Sequence, residues 1–317
     1  MYVIIRVMKA TKTLSRSFVT ATIVIGLATC AHAQNMNGTV NNAFYGGPLA
    51  VQTINTGFGN AAGGADSAGG SELDAGYGRV SGGDLWLFLA GNFESNGNHL
   101  NLFIAGGPGG QSILSTSGGT LAAMNGSAFS PGFLPTFALD MNVYSPSEGV
   151  TPGTLYTEEY NLVASTGGFV GGLPESSLGI AAGSDGGVSS LYLNNNHAST
   201  MGAANAALSG ATSGANTTTG LELAIPLSAI GYAGGNIMVL ADINGTSDAY
   251  LSNQFLPGLA VGTGNVGGGG PYGPGGSVFN FANTPGEYFT VVVPEPSTLA
   301  LSGLSGLMTL LVVRRRK

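Results

Sequence analysis

Short apolar segments separated by Gly, Asn, Ser and Pro recur along the chain from Gln34 to about Val293. This spacing is typical of β-strands joined by turns. Only Met201–Leu208 has the apolar spacing of a helix. The segments predicted as strands are Asp84–Asn92, His99–Ala105, Phe137–Tyr144, Leu155–Ala164, Ser189–Leu193, Leu221–Pro226, Ile237–Ile243 and Glu287–Val293.

Two of these segments also indicate how they are buried. Leu100–Ile104 alternates Leu or Ile with Asn101 and Phe103, as expected for a strand with one face in the core. Leu85–Ala90 is apolar on both faces, so we expect it to be central and covered on both sides. It contains Trp86, the only tryptophan, whose apolar neighbours favour a core position.

Many short strands with turns between them predict a mainly β fold, a single antiparallel β-sandwich over residues 34–293. Gly occupies 55 of the 317 positions, which predicts glycine-rich loops between the strands. Charged residues make up 8 % and apolar residues 43 %, which argues against a disordered chain.

The basic residues are concentrated at the two ends of the chain, and Arg79 is the only one between Arg16 and Arg314. A body with a single cation repels phosphate backbones, so nucleic acid is excluded as a partner. The only cysteine, Cys30, lies in the predicted export signal described next, so the exported body has no thiol for a disulfide or a metal.

Residues 1–33 have the three parts of a secretory signal peptide, recognised by signal peptidase. A basic region, Arg6–Arg16, precedes the apolar segment Phe18–Thr29, which is too short to span a bilayer comfortably. Ala31 and Ala33 form a small-x-small cleavage pattern that makes Gln34 the new N-terminus.

Residues 294–317 form a second segment with three parts. The triplet Pro294, Glu295 and Pro296 precedes an apolar run, Leu299–Val313. Fifteen helical residues extend about 22 Å, less than a hydrocarbon core of roughly 30 Å. A basic cluster follows at once and acts as a positive-inside stop, so we predict a C-terminal transmembrane helix with the body outside. The cluster consists of Arg314, Arg315, Arg316 and Lys317.

This arrangement resembles the PEP-CTERM sorting signal. The resemblance implies that an exosortase in the inner membrane recognises Pro294, Glu295 and Pro296, while Arg314–Lys317 holds the tail. Cleavage near the triplet then releases the body to the surface or matrix of a Gram-negative bacterium that makes extracellular polysaccharide. A plain membrane anchor would need the apolar run and the arginines but not the triplet.

The order of the body segments resembles the family-nine carbohydrate-binding modules and related DOMON-like sandwiches. The segments that carry the resemblance are Asn37–Ala50, Gly82–Phe88, His99–Ile104, Gly220–Gly231 and Ile237–Asp242. Two features depart from that family. Ala105 stands where an acidic residue often ends the second strand, and the paired tryptophans that clasp sugar have no counterpart.

Candidate residues for chemistry are few in the body. His99 and His197 lack the spaced His or Cys partners of a metal site, so both are predicted to be surface residues. Glu158 and Glu159 are adjacent on a strand and should point to opposite faces, which prevents them from flanking one glycosidic bond. Gly262-x-Gly264-x-x-Gly267 lacks the flanking strand and helix of a dinucleotide site.

The segment from Asp242 to Asp248 is rich in side-chain oxygen and resembles a cation loop. Its weak candidate ligands for Ca²⁺ are Asp242, Asn244 and Asp248. Asn244-Gly245 is also a strong hairpin turn signal, and Asn253 stands where the final Glu of an EF-hand loop would be. We therefore favour a turn over a cation site.

These observations predict a non-enzymatic protein with a structural or adhesive role in the envelope or biofilm matrix. The alternative is a module that binds extracellular polysaccharide weakly, and a glycosidase or lyase comes last. No cofactor is expected, with Ca²⁺ as the one alternative. An exposed aromatic strip would favour carbohydrate binding, whereas a cleft with two carboxylates about 5–10 Å apart would favour hydrolysis.

Overall fold

The computed structural model describes residues 34–54, 56, 58, 70–144, 153–174, 190–194, 214–267, 279–283 and 288–293. The predicted signal peptide, the sorting tail and the predicted helix Met201–Leu208 lie outside these described residues. No helix in the described part of the chain is long and apolar enough to cross a membrane. All elements below belong to the unit formed by residues 35–317.

The described residues are mainly β and form antiparallel sheets, which confirms this part of the predicted fold class. The strands are β1 Ala50–Val51, β2 Glu72–Ser81, β3 Asp84–Asn92, β4 Asn96–Ala105, β5 Phe137–Tyr144, β6 Thr154–Asn161, β7 Thr166–Pro174, β8 Ser190–Leu193, β9 Gly220–Pro226, β10 Ile237–Asn244, β11 Leu251–Leu256 and β12 Phe289–Val291. The helical elements are α1 Asn42–Tyr45 and the 3-10 turns Thr120–Met124, Gly214–Asn216 and Phe281–Asn283. Each of the eight predicted strand segments overlaps one of these strands, although several boundaries differ by one to three residues.

The strands form two antiparallel sheets. The first sheet has the order β1-β2-β3-β9-β8, and the second has the order β11-β10-β4-β5-β6-β7. One edge of β10 pairs with two strands. Its first residues, Ile237–Val239, pair with β12, and its last residues pair with β11. The last strand therefore joins the second sheet directly before the residues of the predicted sorting tail.

Both sheets contribute to one apolar core, as predicted for a sandwich. The first sheet supplies alternate residues of β3 and β9, and the second supplies alternate residues of β4, β5 and β10. These residues are Leu85, Leu87, Leu89, Leu221, Leu223, Ile225, Leu100, Leu102, Ile104, Phe137, Leu139, Met141, Ile237, Val239 and Ala241. Each is at most 2 % exposed, so their alternation along the strands determines which face is buried.

Strand β3 is covered on its outer face as well. Phe44 and Tyr45 of α1 pack against Phe88, which is fully buried. The prediction of a central strand covered on both sides is therefore confirmed. Trp86 is only partly buried, with its ring 5.5 Å from that of Phe44. The prediction that Trp86 lies in the core is thus confirmed only in part.

An aromatic cluster covers part of the outer face of the second sheet. Phe103 of β4 contacts Phe129 from the β4–β5 connection at a ring distance of 5.1 Å, and Phe281 at 5.8 Å. Phe133 and Tyr160 complete the buried part of the cluster. The rest of this face carries polar residues, and it forms the candidate site.

Candidate functional site in a cleft of the second sheet

Three rows of side chains cross the outer face of the second sheet, because β10, β4, β5 and β6 pair in register and every second residue points to the same face. The apolar row is Leu240, Phe103, Ala138 and Tyr160. The acidic row is Asp242, Asn101, Asp140 and Glu158. The rim row is Asn244, His99, Asn142 and Tyr156. The outer face therefore changes from apolar to acidic over two residues along each of these strands.

The acidic row is buried at the β10 side. Asp242 and Asn101 are fully buried, and Asp140 is 2 % exposed. Asp248, from the β10–β11 turn, is also fully buried and joins the row. The amide nitrogen of Asn101 donates to Asp248 Oδ1 at 3.0 Å and to Asp242 Oδ1 at 3.4 Å. One amide therefore holds the two carboxylates together.

His99 lies at this cluster and not on the surface, so its predicted surface position is wrong. Its Nδ1 is 2.5 Å from Asp140 Oδ1 and 3.9 Å from Asp248 Oδ2, and the residue is 7 % exposed. The strand begins at Asn96 and not at His99, which places His99 inside the sheet and beside Asp140. His197 lies outside the described residues.

The pKa values of the aspartates reflect their removal from water. Burial raises the pKa of Asp140 to about 8; a hydrogen bond with Asp248 opposes this rise, and the charges of Glu158 and Asp242 add to it. Burial and the neighbouring Asp248 raise the pKa of Asp242 well above its ordinary range, and burial together with Asp140 does the same for Asp248. Negative charge is thus unfavourable at all three positions unless something compensates it.

The protein supplies no lysine or arginine for that purpose. Arg79 is the only such residue between positions 34 and 293. Arg79 lies on the first sheet, where it donates to the carbonyl oxygen of Phe44 at 2.6 Å. Its guanidinium carbon lies over the Phe44 ring, 5.1 Å from the ring centre. His99 is therefore the only basic side chain described at the acidic row.

Glu158 has a different environment at the β6 end of the acidic row. Its carboxylate accepts hydrogen bonds from the Thr120 backbone at 2.7 Å, from the Thr120 hydroxyl at 3.3 Å and from Tyr160. Burial and the negative charge of Glu158 raise the pKa of Tyr160. Glu158 thus anchors the 3-10 turn Thr120–Met124 above the sheet. Of the Glu158–Glu159 pair only Glu158 lines the cleft, in agreement with the strand alternation.

A cleft of about 400 Å³ opens above these rows. Its lining residues are His99, Thr120, Asp140, Asn142, Tyr144, Tyr156, Glu158, Phe169, Thr246 and Ser247. The exposed fractions of Tyr144, Tyr156 and Phe169 are 52 %, 37 % and 65 %. These three aromatic residues come from β5, β6 and β7, so they form a wall on one side of the acidic floor.

The segment from Asp242 to Asp248 is a hairpin turn, as favoured from the sequence. Gly245 donates to the Tyr250 carbonyl at 2.8 Å, and the side-chain oxygen of Asn244 accepts from the backbones of Gly245 and Tyr250 at 2.9 and 2.8 Å. Asn244 Oδ1 is therefore committed to the turn. Asp242 and Asp248 instead bring their carboxylates to Asp140, a residue that the sequence analysis did not connect with them.

The comparisons with known proteins concern the end of the chain. Residues 292–317 match the PEP-CTERM protein-sorting motif. This motif implies processing by an exosortase, with export and sorting to the cell surface of a Gram-negative bacterium. No curated protein and no solved structure matches the chain, so the resemblance of the body to carbohydrate-binding modules is not confirmed. Of the predicted sorting and cleavage residues, only Gln34 lies within the described part of the structure.

Proposed function

We propose that the body of this exported surface protein has an adhesive role, and that it binds carbohydrate in the cleft of the second sheet. The observation that carries the proposal is the wall of Tyr144, Tyr156 and Phe169 beside a floor of carboxylate and amide groups. Binding of an extracellular polysaccharide is a direct molecular basis for adhesion at the cell surface.

The aromatic wall suits the apolar faces of sugar rings. Phe169, the most exposed of the three, is the only phenylalanine among the large apolar side chains that are exposed in the described residues. Its ring lies 6.3 Å from that of Tyr156, with 42° between the planes. Aromatic side chains gain much of their binding energy from covering apolar surface, and a sugar ring offers such surface on its C–H face.

The polar part of the cleft suits hydroxyl groups. Asn142 offers an amide, and Thr246 and Ser247 offer hydroxyls from the β10–β11 turn. These groups both donate and accept hydrogen bonds, as sugar hydroxyls do. Because the body contains one arginine and no lysine, we propose neutral polysaccharide as the ligand class rather than a strongly anionic one.

Hydrolysis is a weaker explanation of the same cleft. Asp140 and Glu158 lie directly opposite each other on β5 and β6, which could suggest a pair of catalytic carboxylates. However, both oxygens of Glu158 accept hydrogen bonds from Thr120, so Glu158 holds the 3-10 turn above the sheet. Asp140 and Glu158 are the only carboxylates among the described residues that line the cleft. Asp140 therefore has no second free carboxylate to act with, and we propose a binding role without catalysis.

Replacement of the aromatic wall should abolish carbohydrate binding. We expect the intact protein to bind neutral host polysaccharide at high-micromolar to millimolar concentration, which corresponds to about -4 to -6 kcal/mol. The substitutions Tyr156→Ala and Phe169→Ala should each weaken binding about tenfold or more, because each removes stacking surface worth roughly 1.5 kcal/mol. Affinity electrophoresis in gels that contain the polysaccharide measures this effect.

The matched control is Val163→Ala. Val163 is 55 % exposed but is not among the residues that line the cleft, so its replacement should leave binding unchanged. Equal binding by the parent protein and by both aromatic variants would contradict the proposed site. Absence of binding by the parent protein to any neutral polysaccharide would contradict the proposed function.

A separate prediction concerns processing. The surface form should begin at Gln34 and lack Arg314–Lys317, because signal peptidase and exosortase remove the two ends. Mass spectrometry of protein recovered from the cell surface measures both ends, and replacement of Pro294, Glu295 and Pro296 by Ala should cause the chain to accumulate in the membrane. Surface protein that still contains the arginine cluster would contradict exosortase cleavage.

A further inference from the structure

Four oxygen atoms of the acidic cluster accept no hydrogen bond from an N–H or hydroxyl group of the described residues. The four atoms are Asn101 Oδ1, Asp140 Oδ2, Asp242 Oδ2 and Asp248 Oδ2. All four residues are at most 2 % exposed, so water does not replace the missing donors at the surface. Buried polar atoms are nearly always paired in folded proteins, and several such atoms in one place need a physical explanation.

The carboxylates also carry charge that the protein does not neutralise. Asp140 lies on β5, whereas Asp242 and Asp248 lie on β10 and in the turn that follows it. Asn101 and His99 of β4, the strand between them, hold the carboxylates close together. Removal of charged carboxylates from water is costly unless a partner of opposite charge is present. His99 can compensate one charge at most.

We propose that the acidic row and Asp248 bind a divalent cation, and that this cation is Ca²⁺. The ligands would be the unpaired oxygens of Asp140, Asp242, Asp248 and Asn101. One ligand atom from each of His99, Asp140 and Asp248 lies within 4.8 Å of the others, so a single ion reaches these three side chains. The Asn101 amide, which donates to both Asp242 and Asp248, holds Asp242 beside them. The binding of a cation supplies both the missing charge and the missing partners of the oxygens.

The chemistry of the donor atoms favours a hard cation. Ca²⁺ binds six to eight oxygen ligands from carboxylates, amides and water, and the four unpaired atoms are all oxygens. Zn²⁺ would instead require a site dominated by nitrogen or sulfur ligands. Among the described residues, the nitrogen ligand at the cluster is that of His99, whose Nδ1 is 2.5 Å from Asp140 Oδ1. His99 therefore serves to orient Asp140, because carboxylates that bind a metal are themselves held by hydrogen bonds.

The ion has a route to the site. Asp140 and His99 line the cleft, whereas Asp242 and Asp248 lie behind them without exposure. The cleft thus gives the ion access and leaves room for water in the remaining coordination positions. Because the ligands differ from the aromatic wall, the cation site does not depend on the proposed carbohydrate binding.

The first test measures the response of the whole protein to metal alone, without carbohydrate. After treatment with a chelator, addition of CaCl₂ to about 100 times the dissociation constant should raise the melting temperature by about 5–10 °C. Calorimetry should show one ion bound per chain. Absence of any shift with Ca²⁺ would overturn the proposal, and so would a shift with Zn²⁺ but not with Ca²⁺.

The second test uses variants that retain the shape of the side chains. Asp242→Asn and Asp248→Asn should each abolish the Ca²⁺-dependent shift, since each removes one charged ligand. Without metal they should melt at the same temperature as the parent protein or higher, because they remove repulsion among the carboxylates. If Asp242 and Asp248 only filled space in the fold, their variants would not lose the Ca²⁺-dependent shift while keeping the stability of the metal-free protein.

The matched control is Asp84→Asn, at the start of β3 on the other sheet. It makes the same chemical change away from the cluster, so the full Ca²⁺-dependent shift should remain. Retention of the shift by both cluster variants would overturn the proposed ligands. A protein that is stabilised by acid and ignores Ca²⁺ would show that shared protons, and not a cation, neutralise the cluster.

Discussion

Phe103→Ala is expected to lower the free energy of unfolding by about 3–5 kcal/mol. Phe103 is fully buried and contacts Phe129 and Phe281 edge to face, at ring distances of 5.1 and 5.8 Å. Removal of its ring leaves a cavity between the second sheet and the β4–β5 connection that covers it. The same connection carries Thr120, so the loss should also loosen the roof of the cleft.

The matched control is Phe169→Ala, on the same face of the same sheet. Phe169 is 65 % exposed, so its replacement should change stability by no more than about 0.5 kcal/mol. Urea unfolding of the two variants measures the difference. Equal destabilisation would show that the aromatic wall is part of the core and not a free surface.

Strands with regular alternation could be predicted from the sequence, because alternation follows directly from the pleat of a strand. Strand β2 was missed, and its glycines explain why. Gly76 and Gly78 face the side chains of β12, and a Cβ at Gly78 would collide with Val291. Glycine at these positions makes room for another strand. From local sequence alone, however, glycine predicts a turn or a break in a strand.

Strand β11 was missed for a different reason. Its residues Ser252, Asn253 and Gln254 are polar, yet they are buried. Gln254 accepts a hydrogen bond from the backbone of Leu73 in the first sheet at 3.2 Å. Such a contact between residues 181 positions apart leaves no local signal, so only the three-dimensional structure shows it.

The candidate site was partly visible in the sequence. His99-x-Asn101 and Asp140-x-Asn142 each place two polar residues on one face of a predicted strand. Asp242-x-Asn244 repeats this spacing at the end of a third predicted strand, with Asn244 one residue beyond it. This repeated spacing is a signal that three strands share one polar face. The sequence does not show that these strands are neighbours in the order β10-β4-β5, because that order depends on long-range pairing. When His99 is considered without its neighbours on the sheet, the sequence therefore predicts a surface position for it.

Two other buried glutamates differ sharply in their hydrogen bonding. Glu222 accepts hydrogen bonds from the backbones of Asn37 and Gly38 at 3.0 and 3.2 Å and from the Tyr45 hydroxyl at 2.9 Å. No donor among the described residues reaches either oxygen of Glu72, although both glutamates are 0 % exposed. The same substitution at the two positions should therefore have opposite effects on stability.

Burial and the adjacent Asp74 raise the pKa of Glu72 to about 9. The unfolded value is near 4.5, so folding favours the protonated form. The stability that protonated Glu72 contributes is complete below pH 4.5 and is lost as the pH rises toward about 9. Near pH 8 the ionisation of Glu72 therefore lowers the free energy of unfolding by at most about 5 kcal/mol, since each pKa unit corresponds to about 1.4 kcal/mol.

Glu72→Gln is therefore expected to stabilise the protein by several kcal/mol near pH 8 and to have little effect near pH 4, because the amide stays neutral. Asn92, opposite Glu72 on β3, has an unpaired side-chain oxygen that suits an amide donor. Glu222→Gln should instead destabilise the protein by about 1–3 kcal/mol, because a charged acceptor of three hydrogen bonds is lost. Melting curves of both variants between pH 4 and 9 measure these effects. A gain from Glu72→Gln that did not increase with pH would show that Glu72 is not protonated in the folded state.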